Sequence, residues 1–323
     1  MKKKFSLFGT ALLLVTALIW GVGFPMQSMA LVHIGAATLT CVRNVIAGLF
    51  LLAIIPIFDR IGKGGRRLWE RTETGIRLGF TKRELLGGLF CGILLGTATT
   101  LQQLGLATEE TDSGKAAFIT ALYVVIVPLL GMLRKRFPSR RVFFSVALAV
   151  VGSYFLTANI VFTGSGIGGF FSSLFRAGFH FVWGDLMVFL CALVFALHVF
   201  VIDIFSPGTD GIRLSCVQFF TASVITLPVM LFAEDISLSA LLAAALPTLY
   251  LGIFSSGVAY TGQIVGQKHV DVVPATLILS LESVFGALGG ALLLDESKTV
   301  TQLFGCAVVF AAVILAQLPS RKE

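Results

Sequence analysis

Two charged side chains sit inside long apolar runs where charge is costly: Glu282 and Arg43. An ionisable group in a lipid-like environment must face an interior, a wet cavity or a partner, so each is a candidate for chemistry. Glu282 lies near the middle of its run, about 15 Å from either end at the helical rise of 1.5 Å per residue. A desolvated carboxyl there suits proton uptake and release; it equally suits a hydrogen bond that ties helices together. Arg43 lies about a third of the way into its run. It is placed to neutralise Glu282, to bind a substrate carboxylate, or to snorkel toward the interface. His198 is weaker, since a histidine in such a run more often bonds a neighbouring helix than shuttles protons. Asp203, at the inner end of the same run, is expected to be solvated, and Asp185 to favour a helix start.

Uncharged polar and aromatic residues in the same runs would complete a cavity. They are Trp20, Asn44, Thr99, Gln102, Gln103, Thr120, Tyr123, Gln218, Tyr260, Gln263 and Ser280. Together they offer aromatic walls and a few hydrogen bonds to a small molecule. Asp112-Ser113-Gly114-Lys115-Ala116 superficially matches a phosphate loop but lacks its first glycine and its Ser/Thr after the lysine. No HExxH zinc motif, EF-hand loop or credible Ser/His/Asp set is present, so neither an enzyme nor a metal or other cofactor is indicated. The five cysteines have no CxxC spacing and read as small core residues.

The elements that hold these residues are membrane helices. Of 323 residues, 56% are hydrophobic and 13% charged, with a mean hydropathy of +0.94. About 20 apolar residues span a bilayer as helix. Such stretches run Leu7–Met29, Ala36–Ile57, Leu85–Ala107, Ala116–Leu133, Val142–Ala158, Trp183–Ile204, Leu214–Phe232, Leu238–Val265, Val272–Leu294 and Val300–Leu318. Without two-residue alternation they are helices and not barrel strands. The expected fold class is an all-α integral membrane protein with ten transmembrane helices. Met1-Lys2-Lys3-Lys4 and the run that follows are read as the first span, not a cleaved leader. Gly88, Gly92 and Gly96, like Gly286 and Gly290, have the four-residue spacing of close helix packing.

The net charge of +7 does not call for nucleic acid, because Lys and Arg sort by side. With the N-terminus inside, only Lys115, Arg176 and Lys298 of the 24 fall outside, and Arg43 lies within a span. The positive-inside rule then puts both termini in the cytoplasm of a multi-pass cell-membrane protein. The basic inner loop Phe58–Glu84, which also touches anionic membrane lipids, is expected to be partly helical or mobile.

The chain also repeats itself. Leu39-Thr40-Cys41-Val42-Arg43 returns as Leu214-Ser215-Cys216-Val217-Gln218, and Trp20-Gly21 as Trp183-Gly184. Phe118–Tyr123 aligns loosely with Leu277–Glu282, which sets Tyr123 opposite Glu282. The basic loop after the fourth span matches the net-acidic Asp295-Glu296-Ser297-Lys298 after the ninth, as expected when five helices per copy force opposite orientations. The division is 1–158 for the first copy, 159–182 for an external linker carrying an aromatic, interfacial-type segment, and 183–323 for the second.

These features resemble the drug/metabolite transporter superfamily, specifically its ten-helix EamA-type branch. The resemblance covers nearly the whole chain. It rests on Leu18-Ile19-Trp20-Gly21 with Phe24, Arg43-Asn44, Leu104-Gly105-Leu106 entering Lys115–Tyr123, Gly184-Asp185-Leu186, and Leu281–Phe285 followed by Asp295-Glu296 and Gly305. It implies two inverted five-helix repeats around a central cavity and movement of small solutes by alternating access. The first four helices of each repeat would line the cavity, with the fifth and tenth peripheral. Members often export amino acids or related metabolites, and some handle drugs or nucleosides. The chain departs from an even pairing, since Tyr123 answers Glu282 and the loop after the fourth span lacks a counterpart of Glu296. The expected activity is secondary export of a small metabolite, with protons as the candidate coupling ion. The site residues are Glu282, Arg43, Trp20, Asn44, Gln102, Gln103, Thr120, Tyr123, Tyr260 and Gln263. Two rivals remain at this point: a lipid or lipid-linked-sugar flippase on the same scaffold, and a non-transporting sensor or assembly protein.

Overall fold

The computed structural model describes residues 6–61, 67–72, 75–108, 111, 113–133, 137–157, 182–295 and 299–317. The linker 159–182, apart from Val182, and the loop residues Glu296–Lys298 lie outside the described residues. Among those described, seven helices are long and apolar enough to cross a membrane: Leu7–Leu31, Ala36–Ile61, Lys82–Leu106, Ser113–Met132, Trp183–Phe205, Gly211–Ala233 and Val272–Leu293. They match the first four spans and the sixth, seventh and ninth. The fifth position is taken by the helix Arg140–Thr157 and the tenth by Val300–Gln317. The eighth is a composite: Leu238–Ala243, Ala245–Tyr250, a π-helical segment Leu251–Tyr260, and Thr261–His269.

One departure from helix occurs in the inner loop. Trp69–Thr72 and Gly75–Leu78 form an antiparallel hairpin with Trp69 opposite Leu78 and Thr72 opposite Gly75. The expectation of partial helix there is corrected. The segment has no apolar repeat at helical spacing, while Trp69, Thr72 and Ile76 favour extended backbone and Gly75 suits a turn edge.

Packing is governed by small residues. A side-chain carbon at Gly92 would lie 2.5 Å from the Gln218 carbonyl oxygen, and one at Gly96 only 3.2 Å from Ala222 Cα. The third span thus lays its glycine stripe directly on the seventh, as the four-residue spacing anticipates. Its opposite face exposes Leu85, Leu86, Leu89, Phe90 and Ile93, the apolar surface that lipid requires.

The helix contacts come in exchange pairs. The first span packs on the eighth and ninth, and the sixth on the third and fourth. The third meets the seventh, and the second meets the eighth. The second with the seventh, the fourth with the ninth and the fifth with the tenth are contacts between counterparts. Adding five to a span number turns each of these contacts into another of the set or into itself. The fifth and tenth spans lean chiefly on each other.

Both fourth-position helices tighten at the same place. Ser113–Ala121 passes through Leu122 into Tyr123–Leu133, and Val272–Leu279 passes through Ser280-Leu281 into Glu282–Leu293. Ser280 and Leu281 keep right-handed helical backbone angles. Tight i→i+3 bonds mark each turn, Val125 N to Leu122 O at 3.0 Å and Ser283 N to Ser280 O at 3.2 Å. Tyr123 and Glu282 each follow directly on the tight turn.

Charged groups at the ends of the spans fasten the bundle. Arg213 is 3% exposed and holds Asp59 at 2.7 Å and Asp210 at 2.9 Å. Asp210 also caps its own helix, accepting from Ile212 N at 2.9 Å, while its backbone N–H donates to Glu84 Oε1 at 2.8 Å. Glu234, just past the seventh span, accepts from Ala37 N at 2.8 Å and Thr38 N at 2.7 Å, capping the second. Lys115 pairs with buried Asp185 at 2.6 Å, so the lysine of the false phosphate loop ties the fourth span to the sixth. Asp185 also accepts from Val182 N at 3.1 Å, which bears out a helix-start role. Asp203 departs from expectation: it is buried, because it continues the inward stripe of Val199 and Ile202.

Candidate functional site

A cavity lies between the spans, with both fourth-position helices on its wall. Eight of the anticipated residues line it: Trp20, Arg43, Gln102, Thr120, Tyr123, Tyr260, Gln263 and Glu282. Phe24, Gln27, Phe195, Val199 and Ser255 complete the wall. The lining comes from the first, second, third, fourth, sixth, eighth and ninth spans. The aromatic side of the wall is Trp20 against Tyr260, ring centres 4.6 Å apart, with Phe195 stacked on Tyr260 at 6.5 Å.

Asn44 and Gln103 are buried but do not line the cavity. Gln103 stands one layer behind. It accepts from Thr40 Oγ1 and donates to Gln27 Oε1 at 3.5 Å, so it orients the glutamine that does face the cavity. Thr99, Gln218 and Ser280 are likewise buried behind the wall. Gln218 bonds His198 Nε2 at 3.2 Å, and that imidazole packs edge-on against Tyr260 at 5.9 Å. His198 therefore supports the aromatic wall and is not part of this cavity's lining. The sixth span supplies Phe195 and Val199 to the lining where the seventh, with Gln218, was expected to contribute.

Arg43 is 2% exposed. Its guanidinium donates through Nε to Ser256 Oγ at 3.0 Å, through Nη1 to Gln27 Oε1 at 3.3 Å, and through Nη2 to Ser255 Oγ at 3.1 Å. All three acceptors are neutral. Pairing with Glu282, one of the alternatives the sequence left open, is not made. Glu282 Oε1 and the Tyr123 hydroxyl are both buried with no hydrogen-bond partner among the described residues. Gln263 Oε1 is likewise unpartnered, and Gln102 Nε2 donates to Thr120 Oγ1 at 3.1 Å.

The π-helical segment explains how two serines reach Arg43. A π turn widens the helix and frees backbone carbonyls from the usual i→i+4 ladder. Here Ser255 O accepts from Trp20 Nε1 at 3.0 Å and Ala259 O from Thr16 Oγ1 at 3.2 Å. The distortion presents Ser255 and Ser256 side by side to the guanidinium.

Gln27 was legible in the sequence and passed over: Trp20, Phe24 and Gln27 fall at i, i+4 and i+7, one helix face. Ser255 and Ser256 had no such signal, since they sit among small and apolar residues and only the π geometry aims them.

Comparison with known proteins agrees with this architecture. The model of the EamA-like transporter family matches twice, over residues 7–158 and 182–318. A protein of Archaeoglobus fulgidus (strain ATCC 49558 / DSM 4304 / JCM 9628 / NBRC 100126 / VC-16), described as an uncharacterized transporter, is 30% identical over 322 residues. That match spans 98% of this chain and 87% of the relative. A protein of known crystal structure shares the fold with a TM-score of 0.66 at 16% identity, covering 95% of this chain and 96% of its own. A chain of membrane-spanning helices matched by the same family model in each half is a member of the EamA-like transporter family.

Proposed function

We propose that this transporter exports a small metabolite, an amino acid or a related compound, as a secondary active carrier working by alternating access. The carrying observation is the polar cavity between the spans, lined by an Arg43 and a Glu282 that do not pair with each other. In secondary transporters built from inverted repeats the substrate and coupling-ion sites lie near the midplane where the repeats meet. The exchange pattern of helix contacts supports halves at 1–158 and 183–323 related by a twofold axis in the membrane plane. Rocking one half against the other would then open the cavity to each side in turn. Glu282 carries the coupling proton or anchors the substrate; Arg43, Tyr123, Gln102, Tyr260 and Gln263 shape the site.

The cavity is lined from seven spans and carries the polar side chains of Gln27, Arg43, Gln102, Gln263 and Glu282 on its wall. Its polar lining disfavours a sensor with a closed apolar core. The charge distribution supports a cell-membrane protein with both termini in the cytoplasm.

Untargeted metabolite profiling of medium from cells with and without the protein tests the activity. A compound accumulating outside only when the protein is present is expected; identical profiles overturn export. Proton coupling is tested in proteoliposomes under an imposed pH gradient. Flux indifferent both to the gradient and to Glu282→Gln removes that part.

A further inference from the structure

We infer that the transported compound carries a carboxylate and that Arg43 is the residue that takes it. This rests on the transport reading above and narrows its substrate class.

The chain contains its own control. Among the described residues two arginines are almost fully buried, Arg43 at 2% and Arg213 at 3% exposure. Arg213 follows the usual rule for a buried cation, with two carboxylates, Asp59 and Asp210, on its guanidinium. Arg43 has none among the described residues; its acceptors are the hydroxyls of Ser255 and Ser256 and the amide oxygen of Gln27. A guanidinium has five N–H donors, and these contacts use one on each nitrogen. One N–H on each Nη remains. Both remaining donors belong to a residue on the cavity wall.

A buried cation without a counter-charge is expensive, and the cost grows at membrane depth. The fold does little to reduce it. Among the described residues of the cavity wall the one carboxylate, Glu282, is not a partner of Arg43. Much has been arranged to hold the guanidinium still instead. The eighth span takes up a π-helical course that presents both serines, and Gln103 fixes Gln27 from behind. A planar fork, held from three directions and short of negative charge, is complementary to a carboxylate, which accepts two parallel N–H bonds. The repeat counterpart of Arg43 is Gln218, which lies behind the wall on His198. The charge is therefore a feature of this one position and not of the scaffold.

The test uses the full-length protein purified in detergent and follows its thermal unfolding midpoint. The probes are matched sets differing only at one group: each common L-amino acid and a series of small mono- and dicarboxylic acids, each beside its primary amide. At least one carboxylate is expected to raise the midpoint. Its amide should need about tenfold or more higher concentration for the same shift, since it loses a charge-assisted bidentate contact. Arg43→Gln is expected to abolish the response, and Arg43→Lys, which keeps the charge but not the fork, to weaken it. If Arg43→Gln cannot be purified folded, the acid-against-amide comparison on the unaltered protein decides alone. The inference is overturned if no carboxylate stabilises, if acids and amides act alike, or if folded Arg43→Gln keeps the response. The profiling experiment separates the two readings. Export of a compound lacking a carboxylate leaves transport standing and removes this inference. Carboxylate binding without any export leaves Arg43 as an anion site and removes transport.

Discussion

The interface between the first and ninth spans offers a differential test of the packing on which the cavity depends. A side-chain carbon added at Gly21 would sit 2.7 Å from the Phe285 carbonyl carbon and 2.8 Å from the Gly286 nitrogen. Those are backbone atoms, so no rotamer change relieves the clash, and the helices must part by about 1 Å to restore normal contact. At Gly289, on the same interface, the added carbon would meet Pro25 Cγ at 3.4 Å and Val22 Cα at 3.6 Å, which is ordinary packing. Overpacking costs about 1–3 kcal/mol, against which glycine-to-alanine gains up to about 1 kcal/mol of helix propensity. Gly21→Ala should therefore lose about 1–2 kcal/mol, and Gly289→Ala should be neutral or gain up to about 1 kcal/mol. Unfolding in mixed micelles with increasing dodecyl sulfate, followed by circular dichroism, measures both. Because Phe285 lies one turn beyond Glu282, Gly21→Ala should also lower transport in proteoliposomes while Gly289→Ala leaves it near normal. Equal stability of the two variants, or the reverse order, would refute the argument that backbone proximity sets this interface.

Arg213→Gln leaves Asp59 and Asp210 without their cation and should destabilise by about 3–5 kcal/mol, as breaking a buried pair does; the same micelle unfolding reads it. Glu234→Ala removes the acceptor for Ala37 N and Thr38 N and should cost about 1–2 kcal/mol, with Glu234→Gln recovering part of it. Trp20→Phe keeps the ring on Tyr260 but deletes the donor to Ser255 O; a stability loss of about 1 kcal/mol should accompany a larger fall in transport, since that carbonyl belongs to the segment holding Arg43. A reporter fused after the last residue should be active only as a cytoplasmic fusion, and a periplasmic-active fusion would contradict the charge-based orientation.

Much of the fold was readable because lipid leaves helices few alternatives. The apolar runs gave the span positions, and the glycine spacing of Gly88, Gly92 and Gly96 gave the face that meets the seventh span. The tight turns at Leu122 and Ser280-Leu281 were not readable, since both lie in uninterrupted apolar or neutral sequence and depend on what packs around them. The hairpin at residues 69–78 was missed because short polar loops carry little periodicity. Within the site, charge in an apolar run pointed straight to Glu282 and Arg43. The assignment of Asn44 and Gln103 to the wall failed because a buried polar residue in a bundle can face another helix as readily as a cavity. A shared helix face would have recovered Gln27, but the role of Ser255 and Ser256 exists only in the π-helical geometry.

The paired tight turns at Tyr123 and Glu282 bear on the energetics of the proposed cycle. Were the two halves chemically identical and related by a twofold axis in the membrane plane, a conformer facing one side of the bilayer would superpose on the conformer facing the other after that rotation, and an unloaded carrier would populate both equally. A phenol stands on one side of that relation and a carboxylic acid on the other, with Arg43 likewise set against Gln218. Under the proposed cycle these unlike pairs are among the differences that would give the unliganded carrier a preferred facing.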